Sequence, residues 1–263
     1  MRILEPEEIK SVQMELLDEF HRFCVANELR YSLCGGTMLG AVRHKGYIPW
    51  DDDIDLMMPR EDYDRFLSLY KSKDYYIIDL SKSSTCTEQF SKLCKADTCM
   101  VDVVFKRNQW GVNIDVFPID GLPEDTAAHA ERIRAIHKTI MEICPYYKVA
   151  GKSKALLFLK YCVKRAAHFN SKDILSLKSE LTRIAHENMP DDSPYSTVLY
   201  GDFIVYPFPS DLFKDYKEIE FEGKKYMCIA DTHQYLNKVY GDYMKLPPKE
   251  KQITHHSYDS FIN

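Results

Sequence analysis

The chain contains no apolar run approaching the ~18–20 residues of a membrane span. Its opening stretch, MRILEPEEIKSVQMELLDEFHRFC, has no basic n-region followed by an apolar h-region and does not read as a secretory signal. A surplus of positive charge is missing as well. Lys and Arg number 35 against 40 Asp and Glu, a net charge of −5, which removes the general electrostatic ground for nucleic-acid binding. The eight cysteines (24, 34, 86, 94, 99, 144, 162 and 228) include no C-x-x-C pair and no spacing to histidine that would build a zinc site. Scattered among apolar neighbours, they read as reduced core thiols of a cytoplasmic protein. Internal repeats and low-complexity linkers are absent too.

What is present suits one substantial core: 263 residues, 45% hydrophobic and 13% aromatic. From Pro6 to about Leu29, Ile9, Val12, Leu16, Leu17, Phe20, Phe23 and Cys24 recur at helical spacing, with Glu5, Glu7 and Glu8 at the positive end of the helix dipole. RYSLCGG reads as a short strand ended by two glycines, TMLGAVRHKG as a short helix, and DIDLMMP as a strand stopping at Pro59. YYIIDL, MVDVVF and GVNIDVFPI are further strands, the last ending at Pro118. KEIEFEGKKYMCI forms two strands turning at Glu222-Gly223, and ADTHQYLNKVYG a helix. The spacing predicts an α+β protein: a mixed-sheet core from about 1–122 and 200–263, with a helical lobe at about 123–199, in a single catalytic domain.

Four aspartates, Asp51, Asp52, Asp53 and Asp55, fall within five positions beside Trp50 and just before Leu56, Met57 and Met58. In an extended chain, alternation puts Asp51, Asp53 and Asp55 on one face and turns Asp52 away. Asp53 and Asp55 then stand ~6.5 Å apart, close enough to repel unless they share a cation. Hard divalent ions take one or two carboxylates together with substrate phosphates, so D-h-D on a strand suits a metal clamp for phosphoryl chemistry. Asp115 in VNIDVFP is the first candidate for a third carboxylate and Asp102 in MVDVVF the second. Gly35, Gly36 and Thr37, at a strand-to-helix junction, are placed to hold a phosphate on backbone N–H groups. Arg43, His44 and Lys45 bring positive charge between that loop and the aspartates. An EF-hand reading is weakened because Ile54 and Asp55 break its spacing and no glycine follows.

LCGGTMLGAVRHKGYIPWDDDIDLMMPREDYDRF resembles the signature of the LicD family of phosphotransferases, which includes bacterial phosphocholine transferases and, more distantly, fukutin-related proteins. FSKLCKADTCMVD, NIDVFPIDGLP and FEGKKYMCIADTHQYLNKVYGDYMKLPPKEKQITHH continue the likeness. The resemblance implies a nucleotidyltransferase-like fold and divalent metal, Mg²⁺ or Mn²⁺, on Asp53, Asp55 and Asp115. It also implies a nucleotide-linked donor such as CDP-choline and a glycan hydroxyl as acceptor, in teichoic acid, lipopolysaccharide or a capsule precursor. Arg43, His44 and Lys92 are then candidates for donor phosphate contacts, beside Gly35, Gly36 and Thr37, and Asp115 for taking the acceptor proton. Where the family often has a proline, this chain reads YMCIADTHQYL, so Cys228 and Ile229 are expected to alter a substrate pocket. Two other readings stand beside this one: a true nucleotidyltransferase releasing pyrophosphate, and a non-catalytic glycan-binding module.

Between Ile143 and Lys172 the chain carries Lys148, Lys152, Lys154, Lys160, Lys164, Arg165 and Lys172 and no acidic residue. This basic, apolar 148–172 segment reads either as a peripheral contact with the cytoplasmic face of the membrane or as a lobe helix with snorkelling lysines. His255 and His256 have no partner at metal-ligand spacing and read as structural. Tyr240-Gly241-Asp242-Tyr243 with Pro247-Pro248 reads as a helix end and rigid turn packing the tail on the core.

Overall fold

The computed structural model describes residues 2–84, 86–102, 110–143, 173–198, 206–253 and 258–262, with isolated positions 159, 162, 163 and 166. In chain order the elements are β1 (Arg2–Ile3), α1 (Pro6–Ala26), β2 (Ser32–Leu33), α2 (Gly35–His44), β3 (Asp55–Pro59), α3 (Arg60–Leu69), β4 (Tyr75–Asp79) and β5 (Ser91–Lys95). β6 (Thr98–Asp102), β7 (Asn113–Leu122), α4 (Thr126–Ile143), α5 (Ile174–Ala185) and β8 (Tyr195–Val198) follow. β9 (Phe208–Pro209), β10 (Tyr216–Phe221), β11 (Lys224–Ile229), α6 (Thr232–Tyr240) and β12 (Tyr258–Ile262) complete the order.

A mixed seven-stranded sheet runs β2-β3-β7-β5-β4, with β8 on β7 and β9 on β8. The β3–β7 pair is parallel and the other pairs are antiparallel, as the α+β reading requires. β3 is central because Leu56, Met57 and Met58 are fully buried in succession, the run expected of a strand covered on both faces. α1 covers the sheet through Leu16, Leu17, Phe20 and Cys24, all fully buried. β1, β12 and β6 make a second small sheet. β10 and β11 form a hairpin whose turn residues, Glu222 and Gly223, both have positive φ, the geometry a two-residue hairpin prefers.

Two expectations are corrected. β7 does not end at Pro118 but runs on to Leu122. Asp115 N donates to Ile54 O, just ahead of β3, so by alternation the position-118 nitrogen faces the other neighbour. There β5 pairing stops at Val116 and β8 pairing begins at Ile119, so a residue without an N–H costs no ladder bond. The aspartate strand likewise starts only at Asp55. Asp51 N turns back to Ile48 O, and Asp52 O accepts from the Gln13 amide at 2.8 Å. Residues 51–54 therefore arch over α1 instead of alternating.

In the helical region, α4 and α5 share a small core of Ile133, Ile140, Ile143, Leu177, Leu181 and Ile184, while β8 joins the main sheet. Lys178 of α5 is fully buried, and its ammonium donates to Leu80 O at 2.7 Å and Glu88 O at 2.9 Å, tying α5 to the loop after β4. Cys228 and Ile229 are both fully buried in β11, so they belong to the core and not to a pocket wall. The described cysteines are free thiols and mostly buried, but Cys162 is exposed. The lysines and arginine of the 148–172 segment lie outside the described residues, as do His255 and His256. Among the described residues, no helix is long and apolar enough to cross a membrane.

Candidate active site

The junction between β2 and α2 fixes the first carboxylate. Cys34 precedes the helix with extended backbone, and Gly35 opens it at φ +52, a left-handed value that favours glycine. Cys34 N donates to Asp55 O at 3.0 Å, and Asp55 N donates to Thr37 Oγ1 at 2.9 Å. Both backbone groups of Asp55 are thus held by the glycine-rich turn. Thr37 is buried and spends its hydroxyl on this bond.

Sheet register builds a row across three strands. Asp55 lies opposite Asp115 in the parallel β3–β7 pair, and Asp115 lies opposite Lys92 in the antiparallel β7–β5 pair. Cross-strand partners project to the same face ~5 Å apart. Lys92 Nζ contacts Asp115 Oδ1 at 2.5 Å and Asn113 Oδ1 at 3.1 Å. Asp102 sits instead at the end of β6, opposite Tyr258 in the small sheet, and its side chain is outside the described residues.

Asp51, Asp52 and Asp53 stand at the end of this row, with one oxygen of each within 4.8 Å of the others. Asp52 was expected to turn away; the arch of residues 51–54 brings it in. Gly36 makes room for Asp51, since a Cβ there would meet Asp51 Oδ2 at 2.6 Å. The carboxylate therefore rests against the first turn of α2, where unpaired N–H groups and the helix dipole favour negative charge. Gly36→Ala is expected to push this carboxylate aside and lower turnover about 10- to 100-fold, as an ångström-scale misplacement does. The melting temperature should move little, because Asp51 Oδ2 ends a flexible side chain. Wild-type turnover in this variant would contradict the placement.

Burial pushes the Asp51 carboxyl up to about 7, helped by the charge and hydrogen bond of Asp53 and by the charge of Asp52. Asp55 is raised well above the ordinary carboxylate range by burial, then by Asp53, Asp115 and Asp51, with Lys92 acting in the opposite direction. Carboxylates crowded until they resist ionisation are what a site for a hard cation presents before the cation arrives. The residues present fit a divalent ion.

Two cavities flank the aspartates, and Trp50, Asp51 and Asp53 line both. One, of about 390 Å³, lies toward α1 and includes Lys92, Trp110, Asn113 and Asp115. The other, of about 640 Å³, includes Gly36, Arg43, Asp55, Tyr240, Lys245 and Lys251. Arg43 Nη1 donates to Tyr243 O at 2.7 Å, which ties the tail to α2. Burial lowers the Arg43 guanidinium and the His44 imidazole, the latter with help from Arg43. His44 lines neither cavity and meets Trp50 edge-on at 6.4 Å. Gly35 and Thr37 line neither cavity; Gly35 shapes the turn through its backbone, and Thr37 holds Asp55 N through its hydroxyl.

Sequence reasoning missed three parts of the site. The tail read as architectural supplies a cavity wall: Tyr240, Asp242, Tyr243, Lys245, Pro247, Pro248 and Lys251. Trp50 was noted only as a neighbour of the aspartates. Gln13, on the buried face of α1, holds Asp52 O with its amide nitrogen and accepts the Tyr47 hydroxyl at 3.0 Å. A glutamine four residues after Ile9 and four before Leu17, on the apolar stripe, was the signal.

Residues 28–153 match a family model described as LicD/FKTN/FKRP, nucleotidyltransferase domain. The chain is 28% identical over 269 aligned residues to the lipopolysaccharide cholinephosphotransferase LicD of Haemophilus influenzae, and the alignment spans 100% of both proteins. An uncharacterized protein of Rickettsia typhi is 38% identical over 66 residues, 24% of this chain and 21% of that protein. One of Rickettsia prowazekii is 27% identical over 113 residues, 42% of this chain and 40% of that protein.

Proposed function

Starting from the LicD family domain that this chain carries, we propose that it is a metal-dependent phosphotransferase acting in cell-surface glycan synthesis. It moves a phosphocholine-like group from a nucleotide-diphosphate donor such as CDP-choline to a glycan hydroxyl, with lipopolysaccharide the first acceptor class to try. The observation that carries this reading is the Asp55–Asp115–Lys92 row on adjacent strands, with Asp51 and Asp53 beside it between two cavities.

Asp53, Asp55 and Asp115 would hold Mg²⁺ or Mn²⁺, whose charge offsets that of the diphosphate and of the departing nucleotide. Lys92 Nζ pairs with Asp115 Oδ1 at 2.5 Å, an anchored geometry that suits a ligand better than a base. Asp51, pushed up to about 7, is placed to accept a proton near neutral pH. The acceptor oxygen forms a bond to the choline-bearing phosphorus, and the bond from that phosphorus to the bridging oxygen breaks. CMP leaves with that oxygen, and the hydroxyl proton goes to Asp51. Arg43, Lys245 and Lys251 give the larger cavity the charge to receive phosphates.

The family description favours one second reading, NMP transfer from an NTP. Product analysis over a panel of CDP-alcohols and NTPs with Mg²⁺ separates the two. CMP from CDP-choline is the expected product; pyrophosphate from an NTP, with no CMP from any CDP-alcohol, would overturn the assignment.

The raised carboxylates also set a pH dependence. A folded value above the unfolded ~3.9 gives stability that is complete below about pH 4 and lost as pH rises through the folded value, about 7 for Asp51. Stripped of divalent ions, the protein should lose melting temperature across that window. Mn²⁺ should restore more of it at pH 8 than at pH 5, where protons compete for the ligands. Equal restoration at the two pH values would contradict the site.

We also place the basic 148–172 segment at the cytoplasmic face of the membrane. The described positions within it, Leu159, Cys162, Val163 and Ala166, are helical and exposed. Replacing Lys160 and Lys164 with Glu should weaken co-sedimentation with anionic vesicles; unchanged binding would remove this contact.

A further inference from the structure

The chain has two tryptophans, Trp50 and Trp110, and both line the 390 Å³ cavity on the α1 side of the aspartates. They reach it from separate parts of the chain. Trp50 comes from the loop ahead of the aspartates, and Trp110 is fixed by its bridge to Met100 in the small sheet. Met100 and Pro49 add apolar wall. The charged side chains lining the cavity are Glu7, Asp51, Asp52, Asp53 and Asp115 against Lys10 and Lys92, a surplus of negative charge. The Trp110 ring already faces a cation, since Lys92 Nζ lies 5.5 Å from its centroid. The larger cavity carries more cations, Arg43, Lys245 and Lys251, which nearly balance its four aspartates, Asp51, Asp53, Asp55 and Asp242.

We infer that the tryptophan-lined cavity is the organic-cation site and takes the quaternary ammonium head of the donated group. The assignment rests on the phosphotransferase reading and narrows its substrate class. A trimethylammonium group has no N–H to give a carboxylate. It is held instead by aromatic faces and by the surrounding negative field, Trp being the strongest face. A primary ammonium can hydrogen-bond the aspartates directly and depends less on the rings. Trp50 and Trp110 thus select a quaternary head over a primary one, while the cation-bearing cavity across the aspartates receives the nucleotide.

The test is calorimetric titration of the full chain with choline chloride and, separately, ethanolamine hydrochloride. Tryptophan fluorescence is followed in parallel, both rings being reporters. Wild-type protein should bind choline more tightly than ethanolamine, with a change in fluorescence. Trp110→Ala should weaken choline binding between about twofold and thirtyfold and leave ethanolamine binding nearly unchanged. Trp110→Phe, which keeps a face and guards against a packing artefact, should retain most of the choline affinity. Equal choline affinity in wild type and Trp110→Ala, or equal loss for choline and ethanolamine, overturns the assignment. CMP release from CDP-choline by wild type keeps the two readings apart. Release with tryptophan-independent choline binding sinks this site alone, and tryptophan-dependent binding with no release from any CDP-alcohol sinks the reaction alone.

Discussion

Asp55→Asn is expected to lower turnover on the order of 10³-fold or more, the scale of removing one centre of transition-state charge stabilisation, while raising the melting temperature of chelator-treated protein. The two effects have one source. The Asp55 carboxylate is buried and faces the charges of Asp53, Asp115 and Asp51, so the folded chain carries a repulsion that the unfolded chain lacks. The amide keeps the shape and removes that charge. The backbone bonds from Cys34 and to Thr37 are untouched, so the row keeps its position. A structural aspartate would behave in the opposite way, losing stability when neutralised. Thermal unfolding in EDTA together with a turnover assay reads both signs; a destabilised variant, or an active one, would refute the role given to Asp55.

The second large effect lies away from the chemistry. Asp115 and Asp120 sit on the same strand five residues apart, so they project to opposite faces of the sheet. Asp120 pairs with Arg60 at 2.7 Å, the two side chains being 5% and 8% exposed. Asp120→Ala leaves the buried guanidinium with the more distant Asp64 carboxylate at 3.8 Å and should cost about 3–5 kcal/mol, a fall of about 6–20 °C in melting temperature. Turnover per folded molecule should stay near wild type. Replacing both partners with apolar residues, Arg60→Met with Asp120→Leu, should recover most of the loss, because an ion pair swapped for packing is often neutral. A single-variant cost below about 1 kcal/mol in urea denaturation would contradict a dry pair here.

The contrast between these aspartates also shows what the sequence made legible. Asp55 and Asp115 each stand against buried apolar neighbours, Ile54 and Leu56 in one case and Ile114 and Val116 in the other. Strand alternation then fixes which way such a carboxylate points. The β10–β11 hairpin was legible for a similar local reason, since Glu222-Gly223 carries its own turn preference. Asp52 was misread because Gln13, far away on α1, bends the arch that delivers it. The cavity wall from Tyr240 to Lys251 depends on the tail crossing α2, where Arg43 meets Tyr243 O, and no local pattern encodes that crossing. Pro118 looked like a strand end because the gap between its neighbours β5 and β8 is a property of the sheet, not of the strand. Periodicity specified faces; contacts between distant segments specified the site.

The central claim is that the aspartate row holds a divalent cation. Calorimetric titration of Mn²⁺ into metal-free protein at pH 8 tests it directly, with wild type beside Asp55→Asn. Saturable binding in wild type that weakens as pH falls below about 7, the region of Asp51, and that is lost in Asp55→Asn, is the result predicted. Equal Mn²⁺ binding in the two proteins would contradict the account.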